Sequence, residues 1–149
     1  MDWNYIAGFF DGEGSVTHNG KGYRITVPQT DEGVLVEICK FTKLGHVIKL
    51  RKREAHWKDS WLYYIANKKD VCRFLKKTRP YLVIKREKSV SAIKDLEKEL
   101  IIMARKKKVH DRRKKQAKKL RSRGLDYRAI GKKLNIDWGY ARRLVLDLA

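Results

Sequence analysis

The chain has 149 residues, 42% of them hydrophobic, with 37 Lys and Arg against 17 Asp and Glu and a formal net charge of +20. That length suits one compact domain with a small appendage, and the hydrophobic share supplies a real core, which excludes a disordered basic tail. A folded protein this cationic repels itself unless it meets a polyanion, and nucleic acid is the leading partner.

Cys39 and Cys72 lie in apolar-periodic stretches, not in a Cys-x-x-Cys pair, and read as buried free thiols. No run approaches the roughly 20 apolar residues that span a bilayer. Met1-Asp2-Trp3-Asn4 lacks the charged-then-apolar order of a signal peptide. The expectation is an intracellular protein with no membrane partner.

In chain order, Asp2 is a helix N-cap, and Trp3, Ile6 and Phe10 follow at helical spacing. Ala7, Gly8 and Gly12 fall largely on another face, which is unusual for a soluble helix. Residues 15–18, the turn Asn19-Gly20-Lys21-Gly22 and residues 23–27 make a β-hairpin signature. Ile25 and Val27 point one way, Arg24 and Thr26 the other. Asp31 caps a helix to about Leu44, apolar at Val34, Leu35, Ile38 and Phe41 and closed by Gly45.

A second hairpin joins residues 46–54 to 61–67 through a polar turn around 55–60. In its first strand Ile48 and Leu50 alternate with Lys49, Arg51 and Arg53, which predicts cations on the outward face. Asn67 caps a helix through Lys77 with Val71, Phe74 and Leu75 inward, and Pro80 ends it. Residues 85–108 read as a charged helix with a stripe of Val90, Ile93, Leu96, Leu100 and Met103. From Arg105 to Arg123 the chain is intensely basic, Asp111 being the only acid, and apolar periodicity returns over 124–149. A boundary near 105–110 therefore divides a core, 1–108, from a basic helical extension, 109–149.

The fold class is α+β: a four-stranded antiparallel sheet with helices on one face and a polar, cationic surface on the other, followed by a small all-α region. A twisted antiparallel sheet of this kind can sit in the major groove and read base edges.

Ile6-Ala7-Gly8-Phe9-Phe10-Asp11-Gly12-Glu13-Gly14 resembles the LAGLIDADG motif of the homing endonucleases. Glu in place of Asp at the second acid is the one notable departure, and both are hard-oxygen metal ligands. The resemblance extends over roughly residues 3–105 and implies the αββαββα core of that family. Small residues let two helix backbones approach closely, so Ala7, Gly8, Asp11 and Gly12 are the expected dimer interface. A single copy of the motif implies a homodimer on a roughly palindromic DNA site. Glu13 is the expected metal-binding carboxylate, with the backbone carbonyl of Gly12 as a further ligand, for Mg²⁺ or another divalent cation such as Mn²⁺. No small-molecule cofactor is expected. Apposed carboxylates holding metals suit phosphodiester hydrolysis. The family pattern also matches Gln29, after the second strand, and Lys85, as catalytic companions, the lysine stabilising charge at the phosphate or helping to position the water. The resemblance implies that Asp11, nearer the dimer axis, caps the partner's helix end or supports structure.

Outward DNA-binding candidates are Thr17, Asn19, Arg24, Thr26, Lys49, Arg51 and Arg53, with Lys21 and Lys58 at hairpin turns on the backbone. Trp57, Trp61, Tyr63 and Tyr64 could stack on bases, though packing is the commoner role. Residues 127–146 fit a helix-turn-helix pattern: apolar Ile130, Leu134, Ile136, Ala141 and Leu144, Gly131 at the crossing, Asn135 left-handed and Asp137 a cap. The recognition helix would then present Trp138, Gly139, Arg142 and Arg143 to DNA. The expected function is metal-dependent double-strand cleavage of DNA. The alternative is a non-cleaving binder on the same fold, either an RNA maturase or a DNA-binding regulator.

Overall fold

The computed structural model describes residues 1–52, 54 and 56–147; the sequence candidate Arg53 lies outside them. The chain divides into two compact units, Met1–Leu100 and Ile101–Ala149.

In the first unit α1 (Trp3–Glu13) is followed by β1 (Ser15–His18), β2 (Tyr23–Gln29), α2 (Glu32–Thr42), β3 (His46–Lys49), β4 (Trp61–Ile65) and α3 (Lys68–Thr78). A 3-10 turn, Arg79–Tyr81, then leads into α4 (Arg86–Ser122). The helices start where short polar side chains supply caps: Asp2 accepts from the Tyr5 N–H, Asp31 from Gly33, and Asn67 from Lys69 and Asp70. The first hairpin turns on Asn19, whose Oδ1 accepts from the N–H groups of Lys21 and Gly22 at 3.1 Å, while Gly20 takes φ +80. Helix α2 closes one turn before Gly45, with Lys43 left-handed. Gly45, φ +66, is needed because a Cβ there would strike the Tyr64 carbonyl.

All sheet pairings are antiparallel, in the order β1-β2-β4-β3. Val16, Ile25, Val27, Tyr63 and Ile65 point to the helix side, where they form one buried cluster with Ile6, Phe10, Leu35, Ile38, Phe74 and Leu96. Tyr63 anchors it: its ring is fully buried, its hydroxyl donates to the Leu44 carbonyl at 2.9 Å, and Thr42 Oγ1 lies at 2.9 Å.

β3 corrects one expectation. It pairs Val47 with Tyr63, Ile48 with Leu62 and Lys49 with Trp61. Directly opposed residues share a face, so Val47 and Lys49 are on the helix side and His46 and Ile48 on the open side. Val47 packs against the core and Ile48 is exposed. Lys49 does not join the outward cations; it lies 5.4 Å from the Trp61 ring centroid and pairs with Asp59 at 3.2 Å.

α4 continues past the expected end near residue 108 to Ser122. Lys, Arg, Gln and Ala favour helix, and no Gly or Pro intervenes before Gly124, which takes φ +89. The second unit adds α5 (Tyr127–Leu134) and α6 (Trp138–Leu146), with Ala117, Leu120, Ile130, Ala141 and Leu144 as its own apolar cluster. Asp126 and Asp137 cap the two helices, and Asn135 is left-handed at φ 51. Among the described residues no helix is long and apolar enough to cross a membrane. Cys39 is half-buried and Cys72 buried, both as free thiols.

Candidate functional site

The motif helix ends above the first strand of the sheet. A Cβ at Gly14 would run into the Phe10 ring, so glycine alone lets the chain leave α1 for β1 at this point. The motif's small residues then divide by helical geometry. Positions i and i+4 share a face, whereas neighbours are about 100° apart. Ala7 and Asp11 lie inward, and Gly8 and Gly12 lie outward and exposed.

Ala7 is wholly buried in its own chain, so the expectation that it lines an interface is corrected: its small side chain serves internal packing. Asp11 is likewise engaged within its own chain. Its carboxylate accepts from the N–H groups of Val83, Ile84 and Lys85 at 2.7, 2.9 and 2.8 Å, closing the turn that starts α4. Burial opposes its ionisation, but the three donors and the nearby Lys85 charge prevail and hold the carboxyl below its ordinary range. Gly8 and Gly12 keep the open face, and a Cβ at either would meet nothing within 4 Å.

Asp11 also fixes where Lys85 goes. The Lys85 ammonium, half-buried, donates to the Asp11 backbone carbonyl in the last turn of α1, beside Gly12 and Glu13. The Glu13 side chain is exposed, and among the described residues it has no hydrogen-bond or ion-pair partner. Gln29 sits at the same end of the sheet, because β2 runs antiparallel to β1 and continues three residues past the Thr26 that faces Ser15. Its parity with Ile25 and Val27 puts it on the helix side, and its Oε1 accepts from the Thr30 N–H at 2.8 Å. Glu13, Lys85 and Gln29 thus all belong to one end of the first unit.

The donor chemistry there suits a hard divalent cation. A carboxylate and the carbonyls of a helix's last turn, which lack intrahelical donors, are all hard oxygens. Among the described residues, however, no three His, Cys, Asp or Glu side chains converge. Within one chain the hard-oxygen donors at this end are the Glu13 carboxylate and the carbonyls of the last turn of α1.

The open face of the sheet carries Thr17, Arg24 and Thr26 as expected, with Thr17 directly opposite Arg24 and Thr26 opposite Tyr64. Thr26 Oγ1 lies 2.7 Å from Ser15 Oγ, and the Arg24 Nε is buried with no partner among the described residues. Asn19 and Lys21 are exposed at the hairpin turn, and Arg51 and Lys58 are exposed between β3 and β4. Trp57 is exposed, Trp61 and Tyr64 are half-buried, and Tyr63 is core. Two features escaped the sequence reading. His46 and Ile48 share the open face, and Val83 and Ile84, 82% and 79% exposed, flank the end of α1. An apolar Val-Ile pair directly before a helix looks like core in sequence, and only Asp11's grip on their N–H groups turns them outward.

A family model described as "LAGLIDADG-like domain" matches residues 2–79. Several solved structures share the fold. I-CvuI, a homing endonuclease in complex with its target in the presence of Ca, is 23% identical with a TM-score of 0.51, over 64% of this chain and 66% of that one. The archaeal intron-encoded homing endonuclease I-Vdi141I, complexed with DNA, is 14% identical with a TM-score of 0.51, over 98% and 95% of the two chains. The LAGLIDADG meganuclease I-AabMI, bound to uncleaved DNA, is 18% identical with a TM-score of 0.52, over 78% and 44%. The chain thus spans about two thirds of I-CvuI and less than half of I-AabMI. Among curated protein sequences none matches.

Proposed function

The chain belongs to the LAGLIDADG-like domain family, and on that premise we propose that it is a site-specific homing endonuclease, a homodimer that hydrolyses both strands of a long, roughly palindromic DNA site. One contrast carries this reading. Of the two acids at the end of α1, Asp11 is saturated by three N–H donors, whereas Glu13 is exposed and unpartnered among the described residues. A carboxylate left free beside a fixed ammonium is arranged to meet something outside the chain.

Glu13 and the Gly12 carbonyl would hold Mg²⁺ or Mn²⁺, which when bound supplies charge stabilisation at the phosphate oxygens. Lys85 is aimed at the same end of the helix and would neutralise charge developing on the scissile phosphate or orient the attacking water. Gln29 engages Thr30 through its carbonyl oxygen, which leaves the amide NH₂ to hold a water or a phosphate oxygen. The bare Gly8–Gly12 face and the exposed Tyr5, Val83 and Ile84 support pairing through α1, which would bring two such sites together across a two-fold axis. Thr17, Arg24 and Thr26 on the open sheet would read bases, with Asn19, Lys21, Arg51 and Lys58 on the flanks.

The separate basic second unit favours one rival, a DNA-binding regulator that does not cut. Incubation with duplex DNA spanning the rejoined flanks of the host element, with Mg²⁺ and with EDTA, separates the two. The endonuclease gives two discrete fragments only with Mg²⁺. The regulator leaves bound, intact DNA under both conditions.

A further inference from the structure

We propose that the second unit, Ile101–Ala149, is a DNA-reading module in its own right, with the outward face of α6 entering the major groove of duplex DNA. The unit carries 17 of the chain's 37 Lys and Arg but only 4 of its 17 Asp and Glu, a net +13 of the total +20. Three of those four acids are occupied by the fold. Asp126 and Asp137 cap α5 and α6, and Asp147 pairs with Lys114 and Lys118 at 2.7 and 2.8 Å. Few acids are thus left to offset the cations of this unit, and a net charge of that size selects a polyanion as partner.

Geometry separates this unit from a merely adhesive tail. α5 and α6 are joined by a rigid turn: Asn135 is left-handed, the Ile136 N–H donates to the Gly131 carbonyl at 2.9 Å, and a Cβ on Gly131 would sit 2.8 Å from the Ile136 oxygen. Ala141 and Leu144 anchor α6 inward. Its opposite side presents Arg142 and Arg143, with Trp138 on the flank, all three exposed. Among the described residues neither guanidinium has a carboxylate partner, and that of Arg143 lies 5.8 Å from the Tyr140 ring centroid.

A phosphate contact needs no fixed face, and the basic run of α4 already provides that chemistry. Two arginines without a carboxylate partner, flanked by an indole on the same docked helix, suit base edges, with Arg on guanine and the aromatic on a thymine methyl. The A-form major groove of duplex RNA is too narrow for this mode of reading, so DNA is the partner that fits. The choice of DNA rests on the function proposed above; the module itself does not depend on cleavage.

The test selects binding sites from a randomised duplex DNA pool, without Mg²⁺, using three full-length proteins: wild type, Arg142→Ala/Arg143→Ala, and the charge-matched control Lys132→Ala/Lys133→Ala on α5. Circular dichroism and melting temperature check that these surface changes leave the fold intact. Wild type should enrich a site with two kinds of specified block, one read by the sheet and one by α6. The α6 variant should lose the second block and bind the full site about 10-fold or more weakly. The α5 control should keep both blocks and weaken on every sequence alike. Identical sites for wild type and the α6 variant would overturn the proposal. Equal, sequence-independent losses in the two variants, or competition by duplex RNA as effective as by DNA, would do the same. A wild type that enriches only the sheet's block removes this inference and leaves the endonuclease standing; one that enriches nothing removes both.

Discussion

Two carboxyls two residues apart meet opposite environments at the end of α1. Asp11 is buried and receives three backbone donors, so its ionised form belongs to the native state. Because its pKa is depressed on folding, its stabilisation is present above the unfolded carboxyl value near 4 and is lost as pH falls through the lower folded value. Asp11→Asn should lower stability at pH 7 by about 2 kcal/mol, on the scale of hydrogen bonds to a charged acceptor. The gap between variant and wild type should close in strong acid; urea midpoints at pH 7 and pH 2 read both effects. The resemblance already divided the motif's acids, Glu13 toward metal and Asp11 toward structure, but the source of Asp11's grip was not legible. It depends on Val83, Ile84 and Lys85, 72 to 74 residues away, arriving over the helix end.

At the scale of elements, what was legible is what local chemistry decides. Asp2, Asp31, Asn67 and Asp137 start helices through their own side chains, and Asn19-Gly20 makes its turn unaided. The face of β3 was not legible, because His-Val-Ile-Lys alternates equally well in either sense. Its pairing with the buried Tyr63 decides the matter from outside the strand. Val47→Lys should therefore cost about 1–3 kcal/mol, as for a charge forced against a core. Ile48→Lys should change stability little, and thermal melts of the two variants check the register directly. A similar argument applies to α1. Gly8→Val and Gly12→Val meet open space within one chain. We expect each to leave the single chain folded while weakening self-association about 10-fold or more by holding two helices apart. Sedimentation equilibrium over a concentration series reads that change, and unaltered association would exclude α1 as the contact.

At the scale of the whole molecule, charge and chemistry lie in different places. The unit with the motif carries +7 of the net charge and the unit without it +13. Composition alone announced a polyanion, and the motif alone announced the family, but neither could assign each half its share of the binding. A protein so charged should lose affinity steeply with salt whatever it does to DNA, so binding by itself cannot establish the function proposed. Cleavage can. The most direct measurement places wild type and Glu13→Gln on the same DNA site and follows binding and strand scission separately with Mg²⁺ present. Wild type should bind and cut both strands, and Glu13→Gln should bind within a few-fold of wild type and leave both intact. A wild type that binds but never cuts, or a variant that cuts as fast as wild type, would contradict the assignment of Glu13 as the carboxylate on which the reaction depends.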